Sequence, residues 1–186
     1  VEDDAAAIAA VLNGDRGALD GANDLDVTGG TTTMAGAADI QSSGAYDAAN
    51  SDYTIEDSSG AILGDTATAI DDGVSDITVL NTVDAAQGVQ LSSLEVQLAV
   101  ETDSNAADVN FSVQDSSGVF FTVDNDTTSA IDMTGANSVV IDSQGVALGS
   151  AEYDALAAQV EGSVSGWIDY AAVKPVISDF QVDTGI

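Results

Sequence analysis

The sequence predicts a mainly β fold, a single jelly-roll or β-sandwich barrel with one inserted helix near the C-terminus and an N-terminal arm. Two observations favour it: apolar and polar residues alternate over several segments, and a short turn-like sequence recurs between apolar runs. Alternation gives a strand one buried and one wet face. It is clearest in two sets of positions: Leu94, Val96, Leu98 and Val100, and then Val109, Phe111 and Val113.

The predicted strands are short and closely spaced, as in sandwiches and barrels. They are Tyr53–Glu56, Ala61–Leu63, Val74–Leu80, Val89–Glu101, Asp108–Gln114, Val119–Val123, Ala130–Met133, Ser138–Ile141, Val146–Leu148, Val164–Val173 and Val176–Val182. The longest, Val89–Glu101, would cross the full height of a barrel. Trp167 is expected to anchor its core.

The recurring turn sequence is Asp-Ser-Ser-Gly, at residues 57–60 and 115–118, with a third version, Asp-Ser-Gln-Gly, at 142–145. An Asp at the first position of a turn binds nearby backbone, and Gly at the fourth suits a left-handed conformation. We therefore predict tight hairpins at all three places and favour them over calcium loops. Similar flanks, Tyr53-Thr54-Ile55 and Phe111-Ser112-Val113, hint at an old duplication.

Two parts of the chain differ in composition. Residues 1–50 are rich in Gly, Ala, Asp and Thr, and we assign them to an N-terminal helix or arm with loops. Within them, Glu2 to Leu12 predicts a short helix and Asp24 to Thr28 a strand. Residues 51–186 form the predicted barrel domain. Ser150 is a good N-cap for the inserted helix, which Glu152 to Val160 favours by its helical spacing.

The charge balance is extreme. The chain carries 32 acidic residues, 26 Asp and six Glu, against two basic residues, and its formal net charge is -30. The acids are scattered among 45% hydrophobic residues, which is typical of a folded protein with an acidic surface and not of a disordered tail. Such a surface repels itself at low ionic strength, and molar salt screens the repulsion. The composition resembles that of haloarchaeal proteins and predicts a salt-adapted protein.

The same composition excludes several functions. A chain this negative is a poor ligand for nucleic-acid phosphates. It has no His or Cys, so it offers no His base, thiol nucleophile or thiolate metal site. No apolar run approaches the roughly 20 residues of a membrane span. Asp183-Thr184-Gly185 matches the aspartic-protease tripeptide, but no second copy exists, and that chemistry needs two carboxylates. We therefore expect no enzyme activity, no catalytic residues and no required cofactor.

Clusters of aspartate residues make a metal-ion site possible. Asp124 and Asp126 lie in a short acidic loop, and Asp71 and Asp72 form a second pair. Carboxylate oxygens suit structural calcium or sodium ions. Position six from Asp124 is Ser129 where an EF-hand needs Gly, so this loop is not an EF-hand. These four aspartates are the metal-site candidates, with solvated acidic loops as the competing interpretation.

By its length, its acidic composition and its strand-rich pattern, the chain resembles the small major capsid protein of haloarchaeal icosahedral viruses with an internal membrane. That family builds its shell from vertical single jelly rolls. The resemblance implies a self-assembling coat subunit in a virion, partnered by copies of itself and related coat proteins over an underlying membrane, without direct contact to nucleic acid.

Two other structural roles remain open at this point. One is a cell-surface, adhesin or surface-layer module, possibly calcium-binding and extracellular. The other is a tail or decoration protein of a tailed haloarchaeal virus, because tube proteins also combine a β-barrel with a helix.

Overall fold

Helices and strands alternate along the chain in the computed structural model, which describes residues 1–15, 17–19, 21–64, 70, 73–101, 108–124, 127–142 and 150–166. The strands are β1 (Glu2–Asp3), β2 (Asp26–Thr32), β3 (Asp52–Asp57), β4 (Val74–Val79), β5 (Asp108–Asp115), β6 (Phe121–Asp124), β7 (Thr127–Ala130), β8 (Ala136–Ile141) and β9 (Ser163–Gly166). The helices are α1 (Ala5–Gly14), α2 (Met34–Gln41), α3 (Ser59–Gly64), α4 (Ala85–Glu101), α5 (Ser117–Phe120) and α6 (Ser150–Ala157), with a 3-10 turn at Ala48–Asn50.

Seven of these strands form one sheet in the order β1-β2-β3-β4-β5-β8-β9, and every neighbouring pair is parallel. The predicted jelly roll is therefore wrong: the protein is an α/β protein with a parallel sheet. Among the described strands, β6 and β7 alone form an antiparallel hairpin, which lies outside the main sheet. The sheet also runs through the boundary we placed between residues 50 and 51, since β2 pairs with β3.

The strand order follows the sequence without reversal. Crossovers between parallel strands are right-handed in nearly all proteins, so an unreversed order places the connecting helices on one face of the sheet. The burial pattern agrees: Val109, Phe111 and Val113 of β5 are buried, whereas Asn110, Ser112 and Gln114, which alternate with them, are not. The same alternation marks β3, β4 and β8.

This one-sided burial explains the incorrect fold prediction. Parallel sheets are usually covered on both faces, and their strands are then nearly continuous hydrophobic runs. Strands that are covered on one face alternate instead, which is the pattern expected of antiparallel hairpins. The sequence therefore located several strands correctly, including Tyr53–Glu56, Val74–Leu80 and Asp108–Gln114, but assigned the wrong pairing.

The largest local error lies in α4. Residues 89–101, predicted as the longest strand, belong to this 17-residue helix. Leu91, Leu94 and Leu98 are its buried leucines, and their spacing of three and four is helical. The apolar residues at 94, 96, 98 and 100 also alternate as in a strand. The same residues therefore fit both a strand pattern and a helix pattern. Length favours the helix, because strands rarely exceed ten residues.

The other predictions have mixed outcomes. The N-terminal helix, the strand at Asp24–Thr28, the strand at Ser138–Ile141 and the helix after Ser150 are confirmed by α1, β2, β8 and α6. Ala61–Leu63 is helical in α3, Val119–Val123 begins in α5, and only the first residue of Ala130–Met133 is in a strand. Val146–Leu148, Trp167, Val176–Val182 and the end of Val164–Val173 lie outside the described residues.

A unit of two strands and two helices occurs twice in succession. We call β2, α2, β3 and α3 the first unit, and β4, α4, β5 and α5 the second unit. Ile40 and Leu91 are fully buried at the same place in α2 and α4, seven residues after their N-caps Thr33 and Asp84. The two units place the flanks Tyr53-Thr54-Ile55 and Phe111-Ser112-Val113 at matching positions in β3 and β5, while the old duplication itself stays a prediction. Repeated supersecondary units of this kind bury a shared core by stacking on their neighbours.

Candidate functional site

An aspartate ends each strand that leads into a short helix: Asp57 ends β3 before α3, and Asp115 ends β5 before α5. In the first unit, the Oδ1 of Asp57 accepts a hydrogen bond from the next backbone N–H, that of Ser58, at 2.7 Å. Its Oδ2 accepts from the backbone N–H of Met34, the first residue of α2, at 3.1 Å. One carboxylate thus binds its own corner and the N-terminus of a helix 23 residues earlier, satisfying an N–H that the helix itself leaves unpaired.

The second unit repeats this arrangement. The Oδ1 of Asp115 accepts from the backbone N–H of Ser116 at 2.7 Å, and its Oδ2 accepts from the N–H of Ala85, the first residue of α4, at 3.1 Å. At β1, Asp3 makes the local half of the same corner, accepting from the N–H of Asp4 at 2.9 Å. We call Asp3, Asp57 and Asp115 the corner aspartates.

The hairpins predicted at residues 57–60 and 115–118 are wrong. At residues 57–60 and 115–118 the Asp side chain binds nearby backbone, as expected, but the chain then enters α3 or α5 and not an antiparallel strand. The third version begins at Asp142, directly after β8, and residues 143–149 lie outside the described part of the chain. Asp57 and Asp115 therefore bind backbone groups of the repeat, and a strand-to-helix corner takes the place of the predicted hairpin.

Polar side chains cover the face of the sheet opposite the helices. Thr54, Asp76 and Asp108 are neighbours across β3, β4 and β5. Farther along the sheet, the Oγ of Ser138 donates to the Oγ of Ser112 at 3.0 Å, and the Nδ2 of Asn137 donates to the Oδ1 of Asn110 at 3.0 Å. This face is hydrophilic and acidic, and several of its groups bind one another.

Asp76 lies in the middle of this face. Partial burial raises its pKa, and the charges of Asp108 and Asp52 on the neighbouring strands raise it further. Like charges on adjacent strands are unfavourable when ionised. The acidic surface inferred from composition thus continues onto the sheet itself.

Three carboxylates meet at the start of β2. Ligand oxygens of Asp24, Asp26 and Asp47 lie within 4.8 Å of one another. Burial raises the pKa of Asp26, and the charges of Asp24 and Asp47 raise it further. Asp47 also accepts from the backbone N–H of Ala49 and the side-chain amide of Asn50, so part of its capacity is used within its loop.

The sequence missed this cluster because Asp47 is 21 residues from Asp26 and only the alignment of two loops joins them. Leu25 and Tyr46 form a parallel bridge that brings the two loops together. Carboxylate oxygens at this separation have the chemistry to hold a hard cation, although exposed acidic groups are common without one.

The predicted metal residues are not assembled by the described structure. Asp124 is the last residue of β6. Asp71, Asp72 and Asp126 lie outside the described residues, as do Asp183 and both basic residues, Arg16 and Lys174. These predictions therefore stay predictions.

A groove of 410 Å³ lies between α1 and α2. Its walls are small side chains, among them Ala6, Ala9 and Ala10 of α1 and Ala35 and Gly36 of α2. A Cβ at Gly36 would overlap the Oγ1 of Thr32, so the small residues permit close packing of α2 on the strand before it. Five polar residues complete the lining: Asn13, Thr31, Thr32, Thr33 and Asp39.

Comparison with known proteins gives no relative: no family model, no curated protein and no solved structure matches this chain. Within the described residues, no helix is both long and apolar enough to cross a membrane.

Proposed function

We propose that this chain is a structural, salt-adapted repeat module that self-associates, of the adhesin or surface-layer kind. The observation that carries the proposal is the recurrence of one corner, built by Asp3, Asp57 and Asp115, along a parallel sheet whose described strands follow one another in sequence order. Repeated units of this kind suit extension and scaffolding, because each unit needs contact only with its neighbours.

The strand order also argues against a small-molecule enzyme. Open α/β sheets bind ligands in the crevice where the strand order reverses, outside the carboxyl ends of the strands. Among the described strands no reversal occurs. The aspartates at these carboxyl ends are engaged with backbone N–H groups of helices, as at Asp57 and Asp115.

Self-association is supported by the β1 end of the sheet. Among the described residues β1 pairs only with β2, which leaves the outer edge of β1 available to another strand. On the neighbouring helix α1, Val11 is 47% exposed, whereas Ile8 and Leu12 are buried. A further strand and helix stacked here would continue the pairing that joins the two units.

The capsid hypothesis loses its structural support. The resemblance to vertical single jelly-roll proteins implied a barrel, and the parallel sheet overturns that barrel. A structural role does not depend on the barrel, and the surface-module alternative accommodates stacked repeats. We therefore propose the latter.

Sedimentation velocity in molar NaCl tests self-association. We expect oligomers to grow with protein concentration, and Val11→Ser to weaken them. The matched control is Leu80→Ser, because Leu80 is 67% exposed but lies between β4 and α4, away from the β1 edge. A chain that stays monomeric at every concentration contradicts the proposal, and equal weakening by both variants contradicts the assignment to the β1 end.

A calcium-dependent version of the module is tested separately. At constant molar salt, a chelator should lower the thermal midpoint if calcium is structural, and an unchanged midpoint rules this version out.

A further inference from the structure

One face of α4 lies along the chain segment that precedes β8. Gly88, Ser92 and Glu95 are spaced four and three residues apart, which puts them on the same side of the helix. A Cβ at Gly88 would lie 3.1 Å from the Sδ of Met133, and a Cβ at Gly135 would overlap the Glu95 carboxylate. Both ends of the row touch residues 133–135, so Ser92 between them is directed at the same segment.

This contact contains two buried polar atoms without partners. Ser92 is 0% exposed, and its Oγ has no hydrogen-bond partner; the Oε2 of Glu95 is also buried and unpartnered. Within the described residues the only other such side-chain atom is the Oδ1 of Asp26, far along the sheet. Buried polar atoms are nearly always satisfied, by protein or by a small bound species. Two on one helix face therefore point to a ligand between α4 and residues 133–135.

The carboxylates around these atoms favour a positively charged ligand. Burial raises the pKa of Glu95, and the charges of Glu161, Asp108 and Asp132 raise it further, while a hydrogen bond from the backbone N–H of Val109 lowers it. These carboxylates belong to the segments packed around Glu95: the start of β5, the turn before β8 and the turn after α6. The described residues include no Lys or Arg. None of the described side chains therefore offers a positive charge to offset these carboxylates.

We propose that a monovalent cation, Na⁺ or K⁺, binds between α4 and residues 133–135, held by the Oε2 of Glu95 and the Oγ of Ser92. Oxygen ligands suit such hard cations. A divalent ion would call for several carboxylates together, and among the described residues only Asp24, Asp26 and Asp47 approach one another that closely. The proposal does not depend on the function proposed above. It makes salt a specific ligand of the second unit as well as a screening medium.

Thermal unfolding of the full chain at one molar ionic strength tests the site. The probes are NaCl, KCl and tetramethylammonium chloride, whose cation is too large to enter the buried contact between α4 and residues 133–135. A ligand that binds only the folded state raises its midpoint. We expect the wild type to melt about 3–6 °C higher in NaCl or KCl, an effect of the size that one site confers on a chain this long.

Variants assign that difference to the site. Glu95→Gln should abolish it and Ser92→Ala should reduce it by at least half. The matched controls are Glu56→Gln, which removes an exposed carboxylate of β3, and Ser93→Ala, whose Oγ already donates to the carbonyl of Val89 at 2.8 Å. Both controls should keep the full difference. The salt that gives the higher midpoint identifies the preferred ion.

Three results would overturn the proposal. Equal wild-type midpoints in the three salts would mean that a buried water or nothing occupies the site. A cation-specific difference that survives in Glu95→Gln would place the ion elsewhere, as would equal losses in Ser92→Ala and Ser93→Ala. If Glu95→Gln does not fold, a wild-type pH series replaces it: protonation of Glu95 in acid should remove the difference, and a difference that persists after the carboxylates are protonated contradicts the site.

Discussion

The first and second units share their corners and differ in what connects them. Asp57 and Asp115 bind equivalent backbone groups at equal distances, and Thr33 and Asp84 cap the helices that follow. Yet α2 has eight residues and α4 has 17, and the second unit is followed by the β6–β7 hairpin. The comparison teaches that the same few hydrogen bonds at the strand ends recur in both units although helix length and insertions differ between them.

Removing salt should have the largest effect on stability, and it tests whether the two units unfold together. The net charge of -30 is spread over the whole chain. The Debye length grows from about 3 Å at 1 M to about 30 Å at 0.01 M salt, so repulsion then acts across both units. We expect dialysis to low salt to unfold the protein, seen as loss of the helical circular dichroism signal and of amide protection in both units. An equal thermal midpoint in low and molar salt would contradict salt adaptation.

Tyr53 and Phe111 occupy matching places in β3 and β5, and each is 1% exposed. Truncation of either to Ala should cost about 3–5 kcal/mol of unfolding free energy, because a large buried aromatic leaves a cavity. Denaturant titration in molar salt measures it. The control is Tyr53→Phe, which keeps the ring, removes the hydrogen bond that the phenol oxygen accepts from the Nε2 of Gln41 at 2.8 Å, and should cost about 1 kcal/mol.

A large difference between the two truncations would break the comparison. If Tyr53→Ala costs little while Phe111→Ala costs the full amount, the first unit contributes little to the cooperative fold. That outcome would support a division of the kind we placed near residue 50. Similar losses would show that the sheet behaves as one cooperative structure.

The corner aspartates should give the next largest effect. Asp57→Ala and Asp115→Ala each remove a helix cap and a local hydrogen bond, and should each cost about 1–2 kcal/mol. The equality of the two values is the sharper test, since the hydrogen-bond lengths are the same. Asp52→Ala, an exposed aspartate at the start of β3, is the control and should change stability by less than about 0.5 kcal/mol. Unequal corner losses would mean that only one unit relies on its corner.

The sequence could predict where strands lie but not how they pair. Alternation in β3 and β5 reports one covered face, and both a parallel sheet with helices on one side and an antiparallel hairpin produce it. The signal that separates them is spacing: the caps Thr33 and Asp84 are 51 residues apart, and each precedes Asp57 or Asp115 by a stretch long enough for a helix. Such intervals favour crossover connections over hairpins.

The corner and the acidic contacts were harder to predict for a different reason. A carboxylate such as Asp57 has capacity for local and distant donors, and only the sheet register brings the N–H of Met34 to it. Glu95 was likewise counted in a strand that proved to be helix, which changes every neighbour it meets. Local chemistry was therefore accessible from the sequence, whereas contacts between segments required the fold.

The smallest effect concerns Asp76, at the place where the first unit meets the second, which we call the joint. Asp76 of β4 pairs with Thr54 of the first unit and Asp108 of the second, and its pKa is raised by burial and by the charges of Asp108 and Asp52. A raised folded-state pKa means that ionisation disfavours the fold. This group's contribution is therefore fully present below its unfolded pKa and is lost as the pH rises through the folded value.

Asp76→Asn should accordingly stabilise the protein at pH 7, by less than about 1 kcal/mol, the range of surface charge interactions. The gain should vanish near pH 3, where both forms are uncharged. Denaturant titrations at the two pH values measure this gain in unfolding free energy, with Asp142→Asn, which changes an exposed aspartate after β8, as the control.

Molar salt screens the repulsion from Asp108 and Asp52 but not the cost of burial, so any gain that survives in molar salt reports burial at the joint. If Asp76→Asn does not raise the unfolding free energy at any salt concentration, the prediction is contradicted. The ionised Asp76 would then not destabilise the fold, despite its burial and its neighbours Asp52 and Asp108.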